Sequence, residues 1–152
     1  MRADTHLPLT SRAPSEVIFH RGQEAVTVAR FLAEAAALAA QLPDEGPVLN
    51  FCADRYLALL GFAAAASRGQ TTLLSADRTP QRLAEIARLH GARHALADSD
   101  IALPLPVLRP VPAAGTAAPN PLIPAGLVAA IAFTSGSTGE PRPHPKPWGA
   151  LA

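Results

Sequence analysis

The chain of 152 residues has one cysteine, one tyrosine and one tryptophan, and aromatics make up only 5%. A single cysteine, Cys52, has no partner for an internal disulfide, so the default expectation is a cytoplasmic protein. No apolar run approaches the ~18 unbroken residues of a membrane span. The first residues, MRADTHLPLTSRAPSEV, lack the apolar centre of a secretory signal. Charge is sparse, 16% of residues, and nearly balanced at a net +1. That balance argues against a dedicated nucleic-acid surface. The expected partners therefore exclude nucleic acid and membrane. There is no internal repeat.

Hydrophobic residues make up 49%, so the chain is not disordered. Much of that share is alanine, which makes the core thin per residue. The length suits one domain.

Residues 1–15 are polar and irregular and read as a flexible N-terminal arm. Residues 16–26 suggest a hairpin turning at Gly22. Thr27 is placed to cap a helix whose apolar stripe runs through Val28, Phe31, Leu32, Ala35, Leu38 and Leu42. Pro43 stops it. Residues 47–52 read as a strand, and Asp54 as the cap of a second, nearly all-apolar helix that closes near Gly69. A short strand at 71–74 follows. Thr79 and Pro80 open a third helix, ended by Gly91. Residues 93–97 form the next strand. This alternation predicts an α/β fold, a partial doubly wound and mostly parallel sheet. Residues 16–100 are its body, and the proline-rich 101–126 an extended connector rather than a packed element. Residues 127–152 carry a further strand and a loop.

That last stretch is the informative one. Apolar residues 127–133 read as a buried strand. They give way abruptly to Thr134, Ser135, Gly136, Ser137, Thr138 and Gly139. Glycines can bring successive backbone N–H groups to a common point, forming an anion cradle, and the hydroxyls add donors. The run is not a Walker loop, because no Lys-Ser/Thr opens a helix after it. Nor is it a hydrolase elbow, because Ser135 stands where a glycine is required. Pro141, Pro143, Pro145 and Pro147 then fall at every second position. In a strand, such spacing removes N–H donors from one edge only. Arg142, His144 and Lys146 would keep theirs and share a face beside the loop. A polyproline helix, with its three-residue period, would scatter them.

TSGSTGEPR resembles the phosphate-binding loop of the adenylate-forming enzymes, the family of acyl-CoA synthetases, peptide-synthetase adenylation domains and luciferases. The match covers residues 134–139 and Pro141, with Arg142 where that family usually carries lysine. Residues 61–99 are similar to the family's early helix–glycine–strand–proline–helix–strand run. Pro141, Pro143, Lys146 and Trp148, and the CADRY stretch of residues 52–56, resemble the AMP-ligases of aryl-polyene and xanthomonadin-type pigment clusters.

The resemblance implies an ATP-dependent ligase. A carboxylate attacks the α-phosphate of Mg·ATP, giving an acyl-adenylate and pyrophosphate. A thiol, of coenzyme A or an acyl-carrier protein, then displaces AMP. It implies that residues 134–139 cradle the β- and γ-phosphates while Arg142 and Lys146 neutralise the departing pyrophosphate. It also implies that the adenine pocket, the carboxylate pocket, the metal-binding acid and the catalytic lysine lie beyond this sequence. The catalytic residues are thus unknown, and the chain is expected to be the N-terminal portion of such a ligase, inactive without the remainder as partner. The alternatives are a non-catalytic phosphate- or nucleotide-binding module and an interaction fragment.

The other candidates have plainer readings. His90 and His94 are spaced like metal ligands, but Gly91 between them ends the helix, so they are expected to be solvated, with no metal site. Cys52 is expected to be a small buried hydrophobe. Asp54 and Arg55 are expected as cap and surface ion pair, and Asp98 and Asp100 as a solvated turn. His144 either approaches phosphate or does not. Trp148 either packs or stacks on a ligand.

Overall fold

The structure, a computed structural model, describes residues 5–43, 45–113, 115–135 and 139–152, with Ser135 described by its backbone alone. Its elements in chain order are β1 (His6–Pro8), β2 (Val17–Arg21), β3 (Glu24–Thr27), α1 (Val28–Ala39), β4 (Val48–Asn50), α2 (Arg55–Ser67) and β5 (Thr72–Ser75). Then follow α3 (Pro80–His90), β6 (His94–Leu96), β7 (Val107–Leu108), β8 (Leu122–Pro124), β9 (Val128–Ser135), β10 (Pro141–Pro147) and α4 (Trp148–Leu151). A six-stranded sheet in the order β10-β9-β5-β4-β6-β7 forms the body. It is parallel from β9 to β7, and only β10 runs against its neighbour. The expected α/β architecture is therefore present.

Local chemistry sets the helix boundaries where the sequence indicated. The Thr27, Asp54 and Thr79 side chains accept from the amides of Arg30, Leu57 and Arg82, capping α1, α2 and α3. Gly91 ends α3 in the left-handed region at φ +71°, which a side chain would disfavour.

The register shows how the two faces are divided. Val48 pairs with Thr72, Thr72 with Ala130 and Ala130 with Lys146, so these share a face. Val48 packs in one cluster with Phe31 and Leu38 of α1 and Leu60 and Ala63 of α2. The adjacent row, Leu49, Leu73 and Ile131, packs with Leu83 and Ile86 of α3. Consecutive crossovers thus cover opposite faces. Each fully buried leucine or isoleucine contributes about 1.5–3 kcal/mol. The α2 helix approaches closely enough that a Cβ on Gly61 would lie 2.6 Å from Leu96 Cδ1 and 2.9 Å from Asn50 Nδ2. Glycine there is a packing requirement.

Two expectations are corrected. The N-terminal arm is tied down over much of its length. β1 pairs antiparallel with β8, and the Asn120 side chain accepts from Leu9 N and donates to Thr10 O. Its partner lies more than a hundred residues away, which no local pattern reveals. The proline-rich connector is also partly packed: it contributes β7 and β8, and Ile101, Leu103 and Leu105 lie against the α3-side core. Proline bars a helix there but not an extended segment laid on apolar surface.

β10 is a strand at the sheet's edge, as the alternating prolines require. Its only N–H groups short of Trp148 belong to Arg142, His144 and Lys146, so the ladder to β9 uses these and the proline side faces outward. The outer edge therefore has carbonyl acceptors and no donors, and cannot template a further strand. Replacing Pro143 and Pro145 by valine would restore donors there. The expected result in sedimentation velocity is a larger share of dimers and higher species than the parent shows at equal concentration.

Candidate functional site

The parallel strands β4, β5, β6 and β9 all end at one edge, where ligands of open α/β sheets bind. β9 runs two residues beyond its apolar stretch, through Thr134 to Ser135, and β10 returns from Pro141. The register pairs Pro141 with Ser135, Arg142 with Thr134 and His144 with Ala132. Thr134, Arg142, His144 and Lys146 consequently share the α2-side face of the hairpin. The Thr134 Oγ1 and His144 Nε2 atoms are 3.1 Å apart, a hydrogen bond across the strands. Arg142 and Lys146 are exposed, and among the described residues neither is in an ion pair. They are free to meet an anion.

Of the expected site residues, Thr134, Arg142 and Lys146 are therefore brought onto one surface. Gly139 stands at the loop's exit with φ +81°. Gly136, Ser137 and Thr138, and the Ser135 side chain, lie outside the described residues. His144 joins the site through Thr134, a role that its spacing from Arg142 and Lys146 hinted at.

Sequence reasoning missed the group that anchors the loop's exit. Arg82, in the first turn of α3, donates from Nη2 to Gly139 O at 2.6 Å. It is held by Glu85 at 2.7 Å and Asp77 at 3.7 Å. Asp77 is itself kept below the usual carboxylate range by hydrogen bonds to Thr79, with Arg82 adding to the effect. On this side of the sheet His90 packs its ring on Phe133, with centroids 4.8 Å apart. So His90 is a packing residue rather than a solvated one. Among the described residues no group of three or more metal-ligating side chains occurs.

Two strands over, about 10 Å at ordinary strand spacing, the CADRY stretch leads from β4 into α2. Cys52 is buried, and burial, then the charges of Asp98 and Asp54, push its thiol up to about 12. It is the inert small hydrophobe expected. Tyr56 is buried. Its hydroxyl donates to Glu34, itself only 3% exposed, and Glu34 accepts from Arg30 Nε at 2.9 Å. Burial first, and then the bond to Glu34, hold the phenol above its usual range. Arg21 lies 4.9 Å from the Tyr56 ring centre. Trp148 packs on Phe62 at 6.2 Å and is buried.

Asp98 is not the solvated turn residue expected. Its carboxylate accepts from Ala53 N at 2.9 Å and Asp54 N at 2.7 Å, clipping the end of β6 to the start of α2. Burial works against its charge, but the amides of Ala53 and Asp54, its own amide and the Arg109 charge outweigh that and hold it below the usual carboxylate range. A carboxyl lowered in the folded state stabilises the fold above its unfolded value, about 3.9, and that support is lost as pH falls through the folded value. We expect Asp98→Asn to cost about 1–2 kcal/mol at neutral pH. Its stability, followed by urea unfolding, should fall less steeply below about pH 4 than that of the parent.

No protein-family model matches the chain, and no curated protein matches it. Solved structures do. A malonyl-CoA ligase with methylmalonyl-CoA and AMP bound superposes with a TM-score of 0.75 at 25% identity, covering 95% of this chain and 32% of the ligase. The o-succinylbenzoate coenzyme A synthetase MenE from Bacillus subtilis, in complex with AMP, gives 0.75 at 17% identity, over 95% of this chain and 43% of that one. The NpsA N-terminal subdomain from Klebsiella oxytoca, in complex with 3-hydroxybenzoyl-AMSN, gives 0.68 at 20% identity, over 87% and 37%. The chain thus has the fold of a fragment of the adenylate-forming ligase domain, and spans less than half the length of these neighbours.

Proposed function

We propose that the chain is the N-terminal portion of an ATP-dependent ligase that activates a carboxylate as its acyl-adenylate and passes the acyl group to a thiol of coenzyme A or a carrier protein. The observation that carries this reading is the β9–β10 hairpin. It presents a hydroxyl and two unpaired cations, Thr134, Arg142 and Lys146, at the carboxyl edge of a sheet whose structural neighbours are coenzyme A ligases solved with AMP. Residues 134–139 are the polyphosphate cradle, and the cations offset charge on the departing pyrophosphate. Such chemistry is largely positioning and charge stabilisation.

We further propose the narrower likeness, to AMP-ligases of aryl-polyene and xanthomonadin-type pigment clusters, on the sequence resemblance of Pro141, Pro143, Lys146, Trp148 and residues 52–56 alone. The chain works in the cytoplasm and needs the remainder of the ligase for turnover. Titration calorimetry with pyrophosphate and ATP tests the binding part, and heat should be seen with both. Exchange of labelled pyrophosphate into ATP, with carboxylate present, should be absent for the chain alone. Absence of binding at millimolar ligand would overturn the reading.

A further inference from the structure

We propose that His144 is a proton-linked positioning residue for the polyphosphate site: engaging an anion draws a proton onto the imidazole, which turns the Thr134 hydroxyl toward the ligand. This rests on the polyphosphate reading above. The argument starts from the 3.1 Å separation of Thr134 Oγ1 and His144 Nε2. A hydroxyl has one proton to give. When Nε2 is unprotonated it can only accept, so the hydroxyl spends its proton on the ring. When Nε2 carries a proton it donates to Oγ1, and the hydroxyl proton is released for a phosphate oxygen. Phosphate oxygens are acceptors, so a bound polyphosphate selects the second arrangement. A neutral ring protonated at Nε2 would serve the hydroxyl equally well, but the charge of a bound polyphosphate favours the imidazolium, so a ring neutral through Nδ1–H takes its second proton from solvent at Nε2 and no bond between heavy atoms changes.

The surroundings suit such a switch. His144 is half-buried, and its Nε2 is hydrogen-bonded to Thr134 Oγ1. The cations on its face are Arg142 and Lys146, flanking it on β10. Its neighbours across the ladder, Ala130, Ala132 and Thr134, carry no charge, and beyond Ala132 lies Leu74 of β5. The helix on that face, α2, has a single charge, Arg55 in its first turn, with Arg68 at its C-cap. Among the described residues no carboxylate is hydrogen-bonded to His144.

The test is pyrophosphate titration of the full 152-residue chain in buffers of different ionisation enthalpy, from about pH 6 to 8, where histidine ordinarily titrates. Comparing proteins at one pH cancels the ligand's own protonation. The parent should take up more protons on binding than His144→Gln. Its affinity should fall about tenfold more than that variant's across the range. Glutamine keeps a neutral N–H near the Nε2 position, so at pH 8 His144→Gln should bind at least as well as the parent. His144→Leu takes no proton from the Thr134 hydroxyl at any pH, so its affinity should follow the same pH profile as that of His144→Gln. Thr134→Val should lose the pH dependence with the hydroxyl. Equal proton uptake and equal pH profiles for parent and His144→Gln would overturn the switch while leaving polyphosphate binding intact. Failure of the parent to bind would instead sink the underlying reading.

Discussion

Changing Arg142 and Lys146 together to alanine is expected to weaken pyrophosphate binding about 100-fold, in practice to remove its heat in a calorimetric titration. Hydrogen bonds to charged groups contribute about 1.5–3 kcal/mol each. Both side chains are exposed, so solvent and salt hold each to the lower end, about tenfold apiece. Binding by the parent should accordingly weaken as salt is raised, and the double variant should lose most of that salt dependence. Arg142→Lys keeps the charge and loses the planar fork, so a loss of about 3–10-fold is expected. Stability should change by less than about 0.5 kcal/mol, because neither residue is paired or buried. A double variant that binds pyrophosphate as the parent does would remove the hairpin from the site.

The largest expected effect on stability is at Tyr56. It is 1% exposed, and it joins α2 to α1 through Glu34 and to the β2–β3 hairpin through Phe19, whose ring centre is 5.3 Å away. Tyr56→Ala should cost about 3–5 kcal/mol, the range for emptying a large aromatic site. Tyr56→Phe should cost about 1–3 kcal/mol, since it fills the space but withdraws a hydrogen bond from a buried carboxylate. Urea unfolding would show both as a lower midpoint at unchanged slope. A cost near zero for Tyr56→Phe would mean that Arg30 alone satisfies Glu34.

Much of the fold could be read from one dimension because its signals are local. Thr27, Asp54 and Thr79 cap helices wherever an apolar stripe follows. Alternating prolines can sit in a strand only if it is an edge, and β10 is one. What was misread involves partners far away in sequence. Asp98 looked like a turn residue because the amides it binds lie 44 and 45 positions earlier. Arg82 drew no notice in the sequence, because the carbonyl it holds lies 57 positions on. Glu34 is buried between Arg30, four positions before it, and the hydroxyl of Tyr56, 22 positions after it, and the second partner has no local signal.

The sequence by itself determined the order of strands and helices from β2 to β6, the strand β9 and its abrupt change from apolar residues to glycine and hydroxyl, and the one-sided donors of β10. Each of these follows from backbone sterics and side-chain period. Only the tertiary structure decided that β9 lies beside β5 rather than at β7, that β1 is bound by β8, and that Thr134 meets His144. Those choices depend on which apolar faces bury each other and which distant polar groups then meet, and no local spacing encodes them.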